Sequence, residues 1–377
     1  MSPELPQSSV ELRSLVNADA TVELSLVEVP VIAPTDSQVL IRVEAAPINP
    51  SDLGLLFAGA DAATASYGGT RTNPVVTLSV PAGAMRSMAS RVGESMAVGN
   101  EGAGTVIAAG SSEGAQALLG RTVAVAGGGM YAQYRCVEAA LCLALPEGTR
   151  ARDGASSFVN PLTTLAMLET MRREGHRALV HTAAASNLGQ MLNRLCQEED
   201  VALVNVVRTS AQEELLRRAG ARWVCDSSAP TFRGDLVDAL RETTATLAFD
   251  AVGGGTLASD ILNAMEAAAA TDTPYSRYGS TVHKQVYVYG ALDRSPTVLT
   301  RGFGFAWGVG GWLLTPFLQN VGLETLLAMR ERVAAGLSST FASEYSREIT
   351  LAQALEPEVL SAYARQATGE KYLIVSS

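Results

Sequence analysis

The stretch 177–208, RALVHTAAASNLGQMLNRLCQEEDVALVNVVR, decides the fold. Ala178, Leu179 and Val180 form a short apolar run, as in a strand buried on both faces. Small residues follow from Thr182 to Ser186, and Leu188, Met191, Leu192 and Leu195 then recur at helical spacing. Val201 to Val207 is a second apolar run. Strand, tight turn, helix and strand make a βαβ unit. The first turn of such a unit receives phosphate, because small side chains let backbone N–H groups approach an anion closely. The turn reads Ala183-x-x-Ser186-x-x-Gly189, and Gly189 alone remains of the usual three-glycine fingerprint. On this stretch by itself, dinucleotide binding and an ordinary parallel α/β unit are equally good readings.

The end of the second strand adds information. Folds that take NAD place Asp or Glu there, against the ribose 2′-hydroxyl. Here Arg208 stands at that point, followed by Thr209 and Ser210. A guanidinium and hydroxyls suit a 2′-phosphate, and so NADPH. The alternative is a surface arginine that opens a loop.

Downstream, the pattern predicts a helix near Gln212–Ala219, a strand at Trp223–Cys225, a helix near Gly234–Arg241 and a strand at Thr246–Ala251. An alanine-rich helix over 256–269 and a strand at Gln285–Tyr289 follow. Five strands alternating with helices predict a doubly wound parallel sheet. Its ligands lie beyond the carboxyl ends of the strands. Those ends are Thr182–Ser186, Arg208–Ser210, Val252–Gly254 and Gly290–Leu292, all small, polar or glycine-rich. Their coincidence weighs more than any single motif.

The chain before this sheet reads as β-structure with many turns. Val22, Leu24 and Leu26 alternate with polar or small neighbours, and Val39–Val43 forms a strand after the turn signal Pro34-Thr35-Asp36. Pro47 and Pro50 fix a loop, and Ser51 or Asp52 is a candidate cap for a helix beginning near Leu53. Residues 58–98 are rich in Ala, Gly, Ser and Thr, and read as a functional or mobile loop or as a plain surface insertion. Gly99 to Gly110 is a glycine-rich bend leading into a strand. Arg121–Ala126 and Met130–Val137 are further strands around Gly127-Gly128-Gly129. The change to alternating helix and strand marks a boundary near residue 150. Residues 323–335 are helical, and the closing strand Tyr372–Val375 is expected to join the first domain. This gives a β-rich domain over 1–150 completed by 338–377, and a cofactor domain over 151–337.

The chain has 377 residues, 47% of them hydrophobic, which is enough for two cores, and its formal net charge of −10 argues against nucleic acid as a main partner. The first residues show no charged-then-apolar leader pattern. The most apolar stretch, 302–316 (GFGFAWGVGGWLLTP), is shorter than a membrane span and carries five glycines. It reads as core, substrate pocket or subunit interface. The expectation is a cytoplasmic protein without a membrane span. Four cysteines without CxxC spacing and three histidines offer no zinc set, so no metal site is expected, and the thiols read as buried or half-buried bystanders.

INPSD at Ile48–Asp52, GNEG at Gly99–Gly102, NPLT at Asn160–Thr163, the turn Ala183–Gly189, NVVR at Asn205–Arg208, FDAVGG at Phe249–Gly254 and RGF at Arg301–Phe303 occur in order along the chain. Together they resemble the medium-chain dehydrogenase/reductase superfamily over nearly the whole length. The zinc-free quinone oxidoreductases and 2-enoyl thioester reductases look closest. The resemblance implies an α/β fold: a Rossmann doubly wound parallel sheet plus a β-rich GroES-like N-terminal domain completed by the C-terminal tail. Asn49 and Pro50 stand where zinc alcohol dehydrogenases carry a metal-binding Cys, which implies hydride transfer without a metal.

The resemblance further places the nicotinamide near Asn49, Thr163, Val252, Gly253, Gly254, Tyr289, Gly290 and Leu292. It places the diphosphate on Ser186, Asn187, Leu188 and Gly189, and the 2′-phosphate on Arg208 and Ser210. Lys371 matches a basic residue that reaches the cofactor; a solvated terminal lysine is the other reading. Asn49 is a candidate active-site residue. The enoyl reductases carry a catalytic Tyr after the INPSD loop, and Tyr67 is the nearest candidate, against an ordinary loop tyrosine. Ser186 and GNEG favour that branch, whereas the absence of a visible strong acid or base favours quinones or enones. The expected activity is NADPH-dependent reduction of a quinone or other conjugated carbonyl by a homodimer. An enoyl thioester reductase and a non-catalytic NADPH-binding protein are the alternatives.

Overall fold

The structure, a computed structural model, describes residues 5–270 and 275–376. Residues 1–4 of the N-terminal stretch read for a leader, 271–274 and 377 lie outside the described residues. The chain divides into two units, Met1–Val159 with Arg330–Ser377, and Asn160–Met329.

The first unit opens with β1 Ser8–Val16, β2 Thr21–Pro30 and β3 Gln38–Pro47. β1 and β2 pair antiparallel from Ser8↔Pro30 to Val16↔Val22. Residues 58–98, expected to be a loop or insertion, instead supply β4 Ser66–Gly69, β5 Pro74–Ser79 and β6 Ser95–Ala97. These complete a sheet ordered β4-β5-β2-β1-β6. Val76 and Leu78 alternate inward on β5 and pair with Leu24 and Val22 of β2, so burial of one face holds strands that are too short to show a period in sequence. β7 Glu101–Ala109, β8 Thr122–Ala126, β9 Tyr134–Glu138 and β10 Cys142–Ala144 follow.

The second unit contains β11 Ala178–His181, β12 Ala202–Val207, β13 Trp223–Asp226, β14 Leu247–Asp250, β15 Gly253–Gly255, β16 Lys284–Val288, β17 Asp293–Thr297 and β18 Trp307–Gly311. Its main sheet is ordered β13-β12-β11-β14-β16-β18, with every neighbouring pair parallel. This is the doubly wound sheet read from the sequence, with six strands rather than five. The extra strand lies inside 302–316. Glycine suits it there, because a Cβ on Gly308 would stand 2.3 Å from Gln285 Oε1 on the neighbouring strand. Phe303 beside it is buried, whereas Phe305 and Leu313 are exposed, so the stretch is part core and part surface.

In the tail, β19 Arg347–Ile349 and β20 Tyr372–Val375 flank the helix Pro357–Ala364. β20 pairs antiparallel with β3, giving a second sheet ordered β10-β8-β7-β3-β20-β19, with β9 also on β3. Leu355, Leu360 and Ile374 of the tail share one core with Leu12, Ile41 and Leu56.

Candidate cofactor and active-site residues

In the second unit, four parallel strands end side by side. After β11 the chain turns through Ala183, whose φ is 51°, into the helix Asn187–Glu198. Ser186 caps that helix, its Oγ accepting the Gly189 N–H at 3.1 Å. A Cβ on Gly189 would stand 2.2 Å from the Ala184 carbonyl oxygen. The surviving glycine of the fingerprint is therefore the one the helix needs to close onto the turn, and the serine in the pattern works as a cap. Asn187 and Leu188 open the helix and are half-buried. A helix N-terminus on a tight turn of small residues favours an anion.

Arg208 follows β12 directly and is exposed, as are Thr209 and Ser210. Thr209 caps the helix Ser210–Arg218 by accepting the Gln212 N–H at 3.3 Å, and Gln212 Oε1 accepts the Arg208 N–H at 3.1 Å. The backbone is thus held at both ends while the guanidinium faces solvent.

Asp250, at the end of β14, is fully buried. Its Oδ1 accepts from Thr182 Oγ1 at 2.7 Å and from the Val252 N–H at 2.9 Å, and its Oδ2 accepts the Gly253 N–H at 3.1 Å. Thr182 Oγ1 in turn accepts the Ala251 N–H at 2.8 Å. One carboxyl group therefore fixes the turn at Val252 and Gly253 to the start of the turn after β11. Gly253 sits at φ 78°, open to glycine at little cost, and a Cβ on Gly254 would press on Asp293 at 2.7 Å. Beyond β16, the Tyr289 hydroxyl lies 2.7 Å from His181 Nε2. Burial pulls the His181 imidazole down to about 3, so the ring is neutral. Gly290 is half-buried and Leu292 is 48% exposed. Thr163 is buried on the helix Val159–Arg173.

In the first unit, Asn49 is 2% exposed and caps the helix Pro50–Phe57. The expected caps, Ser51 and Asp52, are instead inside the helix, because the two prolines carry the extended backbone only as far as Asn49. Asp52 accepts the Asn49 N–H on Oδ2 and the Asn100 N–H on Oδ1, both at 2.7 Å. Burial nevertheless pushes the Asp52 carboxyl up to about 7, with the nearby Glu101 charge adding to the rise. Glu101 is fully buried; its Oε1 accepts Asn49 Nδ2 at 2.8 Å, and its Oε2 accepts the Phe158 and Val159 N–H groups at 2.8 and 2.9 Å.

Lys371 is buried, not solvated. Its Nζ donates to Ser156 Oγ at 2.8 Å, and Ser156 shares a 2.9 Å hydrogen bond with the Tyr345 hydroxyl. Burial pulls the ammonium down to about 8, against the opposing pull of Glu101 and Asp52. Tyr67 lies on the edge strand β4 and is 44% exposed; partial burial raises its phenol.

Asn49 and Lys371 are thus held in one unit by Glu101, Asp52 and Ser156, while Ser186–Gly189, Arg208–Ser210, Val252–Gly254 and Tyr289–Leu292 share a sheet edge in the other. Sequence reading missed Glu101, Ser156, His181 and Asp250 as supporting groups, although Glu101 and Asp250 sit inside GNEG and FDAVGG. Three of the four cysteines are buried and Cys136 is half-buried. Among the described residues no three His, Cys, Asp or Glu side chains gather around one metal position, and no helix is long and apolar enough to cross a membrane.

Comparison with known proteins agrees with this architecture. Residues 35–147 match the alcohol dehydrogenase GroES-like domain. The mouse (Mus musculus) synaptic vesicle membrane protein VAT-1 homolog is 27% identical over 161 residues, which cover 41% of this chain and 38% of that protein. A Mesorhizobium loti protein assigned as a candidate NADPH:quinone reductase has a solved structure that superposes with a TM-score of 0.73 at 28% identity, covering 99% of this chain and 100% of the other. The Escherichia coli quinone oxidoreductase complexed with NADPH shares the fold at a TM-score of 0.68 and 17% identity, over 98% of this chain and all of that one. With a GroES-like domain, a six-stranded doubly wound sheet and a solved structure similar to it along its whole length, the chain has the fold of the medium-chain dehydrogenase/reductase superfamily, a fold it shares with solved quinone oxidoreductases and an enoyl reductase.

Proposed function

We propose that the protein is an NADPH-dependent, zinc-independent oxidoreductase that transfers hydride to a quinone or another conjugated carbonyl compound. Arg208 carries this reading: an exposed guanidinium at the carboxyl end of β12, with Ser210 beside it, stands one strand from a capped helix start suited to a diphosphate. The described residues fit such a cofactor. Gly189 admits the close helix approach, and Gly253, Gly254 and Gly290 keep the neighbouring strand ends free of side chains.

When bound, the reduced nicotinamide supplies the hydride. The chain's part is to bind and orient. The turn 183–189 would hold the diphosphate and Arg208 and Ser210 the 2′-phosphate, while Asp250 keeps the Val252–Gly253 turn, proposed for the nicotinamide side, in shape. Reduction of a quinone then needs one proton besides the hydride, which water can deliver to the developing hydroquinone oxygen. Ser186 favours a second reading, reduction of a 2-enoyl thioester, because it follows the enoyl reductase pattern at the diphosphate turn.

Consumption of NADPH with 1,4-naphthoquinone, crotonyl thioester and a simple enone distinguishes these cases. Binding of NADPH without turnover of any acceptor sinks the enzyme reading in favour of a cofactor-binding protein. Arg208→Ala is expected to weaken NADPH binding by about 10–100-fold, the worth of a charge-assisted hydrogen bond, and to leave NADH nearly unchanged. Titration calorimetry with both nucleotides checks this, and equal losses would remove Arg208 from the 2′-phosphate site.

A further inference from the structure

In the unit 160–329, a cavity of about 380 Å³ opens between the end of the helix Val159–Arg173, the strands β16 and β18, and the helix Leu314–Asn320. That is the size of a small-ligand site. None of the residues that line it is among those proposed for the cofactor.

Strand register makes its walls aromatic. Tyr287 on β16 pairs with the buried Phe249 on β14, and their rings lie 5.8 Å apart. Trp312, just after β18, meets the same Phe249 edge-on at 5.4 Å and Phe317 at 6.0 Å. The indole is fixed, because its Nε1–H donates to Thr170 Oγ1 at 3.2 Å. Glycines on β18 leave the space between these rings open. Gly310 pairs with Tyr287, and a Cβ on Gly311 would meet nothing within 4 Å.

Two charged side chains line the cavity, and they differ in what balances them. Arg173 is engaged: its Nε donates to Glu169 Oε1 at 2.7 Å and its Nη2 to the Val321 carbonyl at 3.0 Å. Glu174 has no Lys or Arg partner among the described residues. Its Oε1 accepts the Tyr287 hydroxyl at 2.8 Å, and its Oε2 lies 3.9 Å from His176 Nε2, beyond hydrogen-bond reach. Burial pulls the His176 imidazole below its ordinary value against the pull of Glu174, so that ring is uncharged at neutral pH. Burial and Glu174 push the Tyr287 phenol up to about 12, so it stays a donor and holds the carboxylate beside the rings. The wall therefore carries one carboxylate that no cation of the chain balances.

This combination selects a ligand class. An anion is repelled by Glu174, and a bare metal ion finds one carboxylate where it needs several donors. A neutral molecule gains nothing from the charge. An alkylammonium ion gains from the carboxylate and from the negative faces of the rings together. We propose that this cavity binds a small organic ammonium ion, with Glu174 as its counter-ion and Tyr287, Trp312 and Phe317 as its aromatic walls. The site does not depend on the NADPH reading.

Choline and its neutral isostere 3,3-dimethylbutanol differ in charge at nearly the same shape. Titration of the full chain with each, at constant ionic strength, tests the site. Choline should bind about tenfold more tightly than the alcohol. Glu174→Gln should abolish that preference by weakening choline alone. Phe317→Leu, on the half-buried side of a surface helix, should keep the melting temperature and weaken choline about threefold. Equal binding of the two probes, or a choline affinity unchanged in either variant, would overturn the proposal. Binding of neither probe by a protein that sediments as a dimer would overturn it in favour of a second copy of the chain seated on this face, and binding of neither by a monomer would leave the cavity without a ligand of this class.

Discussion

Replacing Asp250 by Ala is expected to destabilise the unit 160–329 by about 3–5 kcal/mol and to abolish measurable NADPH binding. The side chain is fully buried and serves three donors at once: the Thr182 hydroxyl and the Val252 and Gly253 N–H groups. Removing it leaves those donors without their acceptor, each worth roughly 1–3 kcal/mol when buried and unpaired. Part of that is recovered where water reaches the half-buried Val252. The loss is a large share of the roughly 5–15 kcal/mol that stabilises an ordinary domain. Its effect on binding has a geometric origin, because Asp250 joins the turns after β11 and β14, both of which we propose contact the cofactor. Asp250→Asn keeps one acceptor oxygen and should lie between. Chemical denaturation and calorimetric titration check the two effects; an alanine variant that binds NADPH normally would show that the turns hold themselves.

Replacing Lys284 by Met is expected to cost about 3–5 kcal/mol, because it leaves a buried carboxylate without its cation. Lys284 is fully buried on β16, and its Nζ donates to Glu266 Oε2 at 2.6 Å, to Ser280 Oγ at 3.1 Å and to the Val282 carbonyl at 2.9 Å. Burial acts to raise the Glu266 carboxyl, but Lys284 and the Ser280 N–H and hydroxyl outweigh it and hold it below its ordinary value. Gly279 packs closely against this carboxylate: a Cβ there would stand 2.6 Å from Glu266 Oε1. In a unit of this size the melting temperature should fall by roughly 6–20 °C. The double variant Lys284→Met/Glu266→Met should lose much less, because an apolar pair removes both desolvation costs. Calorimetry of the four proteins closes the cycle, and additive losses would deny the coupling.

The parts of the molecule that were legible in the sequence are those written in short-range chemistry. An apolar run ending in small residues announced β11, β12 and β14 and the edge at which they end, and a guanidinium at the end of β12 is the feature on which the proposed 2′-phosphate site rests. What stayed hidden depends on pairing. β4 and β6 have only 4 and 3 residues, and their stability comes from the neighbouring strand, not from their own pattern. β1 was not legible as a strand, because Ser9, Glu11 and Ser14 are among its buried residues and its inward positions therefore show no apolar alternation. β18 is mostly glycine, chosen for closeness to β16, so it carries no strand propensity of its own.

The supporting polar groups were hidden for the same reason. Lys371 meets Ser156 across 215 residues and Asn49 meets Glu101 across 52, distances that no local motif spans. The resemblance named Asn49 and Lys371 as residues facing the cofactor. The folded chain adds what holds them: a buried carboxylate for one and a buried serine for the other.

Transfer of isotope from the cofactor tests the central claim most directly. With NADPH deuterated at nicotinamide C4 on the transferred face and a simple enone as acceptor, one deuterium per NADPH consumed should appear at the β-carbon of the saturated product. Under the same conditions NADH should react far more slowly. Consumption of NADPH without deuterium in the product, or no reaction with any conjugated carbonyl although NADPH binds, would contradict hydride transfer to this class of acceptor.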